Sequence, residues 1–375
     1  GGQTITNTLF KYLSKDLDVE FVADKLPSDP LYSVAIPSFK NSIFRRMILQ
    51  ITKFRIAYKT IKQGYLGLSK MQYKFITRMP KFLVNLIVNK EAIKIINESQ
   101  VIISNSFYDP LILKVADISG KKIIKVNHLP LSLESIKNLN VFIKDLCEKN
   151  NAKLISVVLS SNQVPLSKDL GIETIYIPNG IETKNLSKEV IDSVLTKFDL
   201  KGRKFIFSVG RLQDSQKGFS LAIRTVSMIS DIIYVIAGNG PDMNFYKDMI
   251  NSLGLNDRVK LIGFVSDDEK LALMHESSAF LQPSYFESFS IVTLEALSQG
   301  SIVLVSKNDG SLDIIDDGGN GFFISLDPDD ISKKIKFVIG LDNKISERIK
   351  SNAIQTANKY SAENMVSKYR DIIDK

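Results

Sequence analysis

The sequence predicts an α/β fold of two domains, each a parallel sheet packed between helices. Three observations carry this. From Val101 onward, short runs rich in β-branched residues alternate with helical stretches. The runs are apolar throughout instead of alternating, which is the pattern of strands buried on both faces and joined by helical crossovers. The chain has 375 residues, more than one hydrophobic core ordinarily serves, and a polar break near Asn179 to Arg203 offers a boundary.

In order, the predicted strands are VIIS at 101–104, KIIKVN at 122–127, KLISVVLS at 153–160 and TIYIP at 174–178. After the loop-like NGIETKNLSKE come KFIFSVG at 204–210, DIIYVIAG at 231–238, VKLIGF at 259–264, AFLQPS at 279–284 and SIVLVS at 301–306. Residues 1–180 are read as the first domain and 181–361 as the second. Residues 362–375 form a last helix, with Met365, Val366, Tyr369, Ile372 and Ile373 at helical spacing. The opening GGQTITNTLF looks like a glycine turn entering a helix. Such a turn normally follows a strand, and the sequence begins at Gly1 instead of methionine. The natural protein is therefore expected to begin earlier with that first strand, and an N-terminal signal stays open.

Apolar content of 44% and charged content of 24% are ordinary for a globular protein. Cys147 is the one cysteine, which excludes an intramolecular disulfide and Cys-rich metal sites, and His128 and His275 are too few for a histidine metal cluster. The longest apolar run, FLVNLIV at 82–88, is far short of the ~18 residues of a spanning helix. The net charge of +8 is uneven: Lys40 to Lys90 holds twelve basic residues and no Asp or Glu. Within Phe44 to Ile61, Phe44, Met47, Ile48, Ile51, Phe54, Tyr58 and Ile61 fall at helical spacing, with Arg45, Arg46, Lys53 and Arg55 on other faces. A basic amphipathic helix suits an anionic membrane surface, and a core-facing helix with solvated charges is the alternative.

The chemistry-bearing motifs lie at strand ends, where open α/β sheets bind ligands. In ESFSIVTLE, at 287–295, a helix starting near Ser290 leaves Glu287 before its N-terminus and Glu295 inside it. Ser288 or Ser290 can cap it, Gly300 can end it, and the amides of Phe289, Ser290, Ile291 and Val292 form a cradle for phosphate. The bland reading is a helix with an acidic first turn. Gly210-Arg211 follows one strand, and Lys217 follows after a polar loop. Two such cations suit a diphosphate, and a solvated basic loop is the alternative. AGNGP sets Gly238 and Gly240 at the next turn. SKNDGSLDII makes a further turn opening a helix at about Leu312. His128, in KVNHLP, sits directly after a strand, as a site residue or a structural one, whereas His275 reads as structural.

The order of these motifs resembles the retaining glycosyltransferases of family 4, the glycosyl transferases group 1 class. The resemblance covers nearly the whole chain and is strongest from Ile177 to Phe323. It implies the GT-B fold, two Rossmann-like domains with parallel sheets facing each other across a cleft, with the last helix packing back toward the first domain. It implies a hexosyltransferase that uses a nucleotide-sugar donor and a lipid-linked or saccharide acceptor, without a cofactor or metal. Glu287 would contact the donor sugar and Glu295 the ribose. Arg211 and Lys217 would neutralise the diphosphate, His128 would lie near the sugar, and Gly2 would face the diphosphate with Gly210 and Gly238 nearby. The leading strand is missing, and Ser301 stands where the family often has proline. The expected location is cytoplasmic, peripheral on the inner membrane face. The alternatives are a GT-B epimerase or phosphorylase, or a basic nucleic-acid-binding protein. No nucleic-acid motif supports the last.

Overall fold

A computed structural model describes residues 78–88, 90–105, 109–129 and 131–374, preceded by the short pieces 8–9, 11–15, 17, 22–23 and 36–37. Its contacts divide the chain into two compact units, Gly1–Pro178 with Val366–Lys375, and Asn179–Met365.

In the first unit, β1 (Val22–Ala23) and β2 (Ile36–Pro37) pair in parallel. There follow α1 (Lys81–Ile87), α2 (Lys90–Glu98), β3 (Val101–Ser104), α3 (Asp109–Leu113), β4 (Lys122–Asn127), α4 (Glu134–Lys149), β5 (Lys153–Val158), α5 (Gln163–Lys168) and β6 (Glu173–Tyr176). The strands β3-β4-β5-β6 form a parallel sheet in chain order. Helix α4 shows why a segment of this kind folds. Ile136, Leu139, Ile143 and Cys147 recur at three- and four-residue steps and are buried. Glu134 in its first turn and Lys149 in its last complement the helix dipole. Burial pushes the Cys147 thiol up to about 12.

The second unit contains α6 (Lys188–Lys197), β7 (Phe205–Val209), α7 (Asp214–Lys217), α8 (Phe219–Ser227), β8 (Ile233–Ala237), α9 (Met243–Ser252) and β9 (Val259–Gly263). It continues with α10 (Asp267–Glu276), β10 (Ala279–Gln282), α11 (Ile291–Ser298), β11 (Val303–Ser306), α12 (Asp309–Leu312), β12 (Gly321–Ile324), α13 (Pro328–Ile339) and α14 (Asn343–Lys359). Six parallel strands lie in the order β12-β11-β10-β7-β8-β9. The chain builds outward from β7 to β9, returns to the other side of β7 as β10, and builds outward again. The strand order therefore reverses between β7 and β10. The core is formed by Ile206, Tyr234, Ile236, Leu281 and Leu304 from the sheet, with Phe219, Ile223, Ile331 and Ile335 from α8 and α13. The last helix, α15 (Ala362–Asp374), buries Met365, Val366, Tyr369 and Ile372. Within the first unit, Lys122 Nζ donates to Ile372 O at 3.1 Å and Ile373 O at 2.7 Å, satisfying carbonyls at the helix end.

All nine predicted strands are present, and most are one to three residues shorter than predicted. Three readings are corrected. The stretch taken as loop near Asn179 to Arg203 holds α6, whose buried Val194 and Leu195 give it an apolar face. Strand β12 was not foreseen, since GFFI is short and opens on glycine. Helix α12 opens at Asp309, not near Leu312. Among the described residues no helix is long and apolar enough to cross a membrane.

Candidate active site

Strands β7 and β10 are parallel neighbours, so their carboxyl ends open on one edge at the point where strand order reverses. Ligands of open α/β sheets bind there. From β7 the chain passes Gly210 and Arg211 and makes the single turn α7, which ends in Lys217. From β10 it runs through Pro283 to Ser290 into α11. The two loops are tied together, with Tyr285 N donating to Gln216 O at 2.8 Å. Asp214 holds α7 in place: its carboxylate accepts from Ser220 N at 2.9 Å, Ser220 Oγ at 2.8 Å and the Tyr246 hydroxyl at 3.1 Å. Burial, and then the Asp214 charge, drive the Tyr246 phenol far above its ordinary pKa, so it stays a donor.

At the reversal point Lys217 Nζ pairs with Glu287 Oε1, and the two side chains are only 13% and 11% exposed. Gln282 Nε2 at 3.0 Å and Ser284 Oγ at 3.2 Å donate to the same oxygen. Three donors thus converge on Oε1, and among the described residues Oε2 has none. Gln282 is the last residue of β10 and is 2% exposed. A buried amide costs free energy unless it is bonded, and here the bond fixes a carboxylate.

Helix α11 begins after Ser290, but neither Ser288 nor Ser290 caps it through its side chain. The Ser290 hydroxyl instead accepts from Thr293 Oγ1 at 2.7 Å. This corrects the capping expectation, and it leaves donors free. Among the described residues, the amides of Phe289, Ser290, Ile291 and Val292 have no hydrogen-bond partner. Gly310 of α12 keeps this cradle open. Its N–H donates to Glu287 O at 2.8 Å, and a Cβ there would lie 2.8 Å from Phe289 N and 3.0 Å from Ser290 N. The helix stops at Ser298, two residues before Gly300.

Glu295 lies one turn inside α11. Lys270 Nζ, from α10, donates to its Oε1 at 2.8 Å and to Asp267 Oδ1 at 3.0 Å. Both partners are largely enclosed, and Glu295 Oε2 is buried with no partner among the described residues. Burial holds the Glu295 carboxyl above the usual carboxylate range despite the lysine beside it. Burial also acts to lower the Lys270 ammonium, but the two carboxylates outweigh it and the ammonium sits above its ordinary value.

Arg211 is exposed, and among the described residues its side chain has no partner. Gly210 lies against the Lys217 stem, a Cβ there falling 3.4 Å from Lys217 Cε. Gly238 has φ +127° and follows β8; a Cβ there would lie 1.9 Å from Gly210 O, so only glycine lets these two turns meet. His128 follows β4 in the first unit, half-buried, with Nε2 3.3 Å from Asn105 Oδ1. Burial, then the charge of Lys125, hold its pKa at about 4, so its imidazole is neutral at physiological pH. Gly2, Arg45, Arg46, Lys53, Arg55 and the stripe from Phe44 to Ile61 lie outside the described residues. Among the described residues no three His, Cys, Asp or Glu side chains gather as a metal-binding group.

The sequence reading missed Gln282, Ser284, Lys270 and Gly310. A signal existed for two of them: Gln282 is a polar end to the apolar run AFLQPS, and Gly310 lies in the NDG turn. Lys270 is 25 residues from Glu295, and nothing local marks it.

Residues 195–356 match the family described as Glycosyl transferases group 1. An uncharacterized glycosyltransferase of Methanocaldococcus jannaschii, MJ1607, is 34% identical over 167 residues, covering 43% of this chain and 42% of that protein. An Escherichia coli protein named UDP-Gal:alpha-D-GlcNAc-diphosphoundecaprenol alpha-1,3-galactosyltransferase is 25% identical over 253 residues, 64% of each chain. For the first three relatives, the aligned part spans only 42%, 35% and 32% of their own length. The solved structure of Anabaena Alr3699/HepE in complex with UDP superposes with a TM-score of 0.70 at 18% identity, covering 95% of this chain and 100% of that one. The chain thus has the α/β fold of the GT-B glycosyltransferase structures, and its residues 195–356 are similar to the Glycosyl transferases group 1 family.

Proposed function

We propose that the chain is a nucleotide-sugar-dependent hexosyltransferase, moving a sugar from a nucleoside diphosphate to a lipid-linked or saccharide acceptor with retention of configuration. The observation that carries this is the juxtaposition at the β7–β10 reversal. A cation and a carboxylate, Lys217 and Glu287, pair just before the amides of residues 289–292, which have no partner among the described residues. In this reading the amides, Lys217 and Arg211 take the diphosphate. They stabilise the charge that grows on it as the bond to the anomeric carbon breaks and an acceptor hydroxyl takes its place. Glu287, with Oε2 unengaged, faces the hydroxyls of the donor sugar. Glu295 takes the ribose. The positive charge comes from side chains and amides, so the reading calls on no metal.

A lipid-linked acceptor is supported by the name of the Escherichia coli relative and by the acid-free basic stretch from Lys40 to Lys90. Each Lys or Arg near anionic lipid contributes about 1 kcal/mol, and such docking weakens with salt. Changing Arg45, Arg46, Lys53 and Arg55 to glutamine should release the protein from anionic liposomes in cosedimentation. Equal binding to neutral and anionic vesicles would remove the membrane part of the proposal.

The test of the activity is a donor screen. The protein is incubated with UDP-, GDP- and ADP-sugars, with and without EDTA, and nucleotide release and thermal shift are read. One donor should stabilise the protein and release its nucleotide regardless of EDTA. No stabilisation and no release with any of them would overturn the donor-site reading.

A further inference from the structure

We propose that Lys270 is a positioning residue for the nucleotide: by engaging Oε1 of Glu295 it turns the carboxylate so that Oε2 is left to accept a hydroxyl of a bound nucleoside diphosphate. The inference rests on the donor-site reading above and names a residue outside the motifs that led to it.

Lys270 projects from α10 and Glu295 from α11, and their side chains are 15% and 17% exposed. The lysine bonds Oε1, while Oε2 is buried and has no partner among the described residues. An enclosed acceptor of this kind is rare in native structures and is normally answered by a missing donor. Its chemistry selects that donor. A carboxylate oxygen repels phosphate and accepts from hydroxyl. Glu295 stands one helical turn beyond the unpartnered amides of Ile291 and Val292, where an anion fits. A ligand that spans both features is anionic at one end and carries hydroxyls about one turn away, which describes a nucleoside diphosphate.

Lys270 also decides whether Oε2 is a strong acceptor. Among the described residues, the charged groups acting on Glu295 are Lys270 and Asp267, both from α10. Strands β10 and β11 and helix α14, which also pack against α11, contribute none. Burial already favours the protonated acid, and Asp267 adds to that. Lys270 is the group among the described residues that opposes this; removing it shifts Glu295 further toward the protonated acid and weakens the charge-assisted bond to the hydroxyl.

The experiment is calorimetric titration of UDP, GDP and ADP into the full chain between about pH 6.5 and 9. Wild type, Lys270→Met, Lys270→Arg and the double variant Lys270→Met/Glu295→Gln are compared, each variant as a ratio to wild type at the same pH. That ratio cancels the ligand's own phosphate ionisation. For the nucleotide that wild type binds, Lys270→Met should weaken affinity at least about tenfold at pH 7 and recover as pH rises, because Glu295 ionises again above its pKa. Lys270→Arg should bind as wild type, and the double variant should bind weakly with no pH trend. A Lys270→Met ratio that stays near one, or that is low but flat with pH, overturns the inference while leaving the donor site standing. If Lys270→Met does not fold, Lys270→Gln carries the same comparison. Failure of wild type to bind all three nucleotides overturns the donor-site reading and the inference together.

Discussion

Lys217 and Glu287 meet across the reversal of strand order, seventy residues apart in sequence and side by side in the second unit. The lysine that is proposed to receive a diphosphate is therefore already balanced by the carboxylate proposed to receive the sugar. Arg211 is exposed and without a partner among the described residues, so its charge is uncommitted.

The two cations should differ on mutation. Arg211→Ala should weaken nucleoside diphosphate binding with an unchanged melting temperature, since it removes no internal contact. Lys217→Ala should cut turnover on the order of a hundredfold, as for loss of one preorganised charge contact. Titration calorimetry and turnover assays separate the two. Near wild-type turnover in both variants would refute the diphosphate role.

Glu287→Gln keeps the shape of the side chain but removes its charge, leaving Lys217 uncompensated in an enclosed site. Nucleoside diphosphate affinity should hold or rise by a few-fold while turnover falls. Glu295→Ala should do the reverse, weakening the nucleoside diphosphate itself. The opposite pattern in calorimetry would exchange the two assignments.

Gln282→Leu removes one donor from Glu287 Oε1 without opening a large cavity. One hydrogen bond to a charged group is worth about 1.5 kcal/mol or more, so turnover should fall about tenfold with nucleoside diphosphate affinity unchanged. A fall in melting temperature with intact turnover would make Gln282 structural only.

Gly310→Ala brings a methyl group against the amides of Phe289 and Ser290, where 2.8 Å is closer than carbon and nitrogen can sit. Nucleoside diphosphate binding should weaken severely, because the backbone must shift at the cradle. Wild-type affinity in this variant would show that the amides take no part.

His128 gives a pH signature. Its pKa falls from 6.5 to about 4 on folding, through burial and Lys125. Between these values the unfolded state binds the proton that the folded state refuses, so the stability contribution is complete above pH 6.5 and is lost as pH falls toward about 4. His128→Gln should flatten this part of the stability profile, measured by denaturant melts across the window. An imidazole resonance for His128 that titrates near 6.5 would contradict the shift.

The fold was legible because its strands are continuous apolar runs with β-branched residues, a signal that depends only on local sequence. Strand β12 escaped because GFFI is four residues long and opens on glycine, and α6 because it buries only Val194 and Leu195 fully and lies in a charged segment. At the site, Glu287, Lys217 and the amides of 289–292 sit at strand and helix ends that the sequence marks. Their partners do not. Gln282 and Lys270 act through side-chain contacts made by the sheet order, and Gly310 acts by the approach of one turn to another. No local pattern encodes such distances.

Cys147 lies in the core of the first unit, 1% exposed, with its thiol pushed up to about 12. No other cysteine exists in the chain. The native protein should therefore resist thiol-reactive dyes at neutral pH, and each labelled molecule records one opening event of that core. The rate of labelling is a clock placed in one unit only. Run with and without saturating nucleotide, it reads whether the ligand changes the opening of that core.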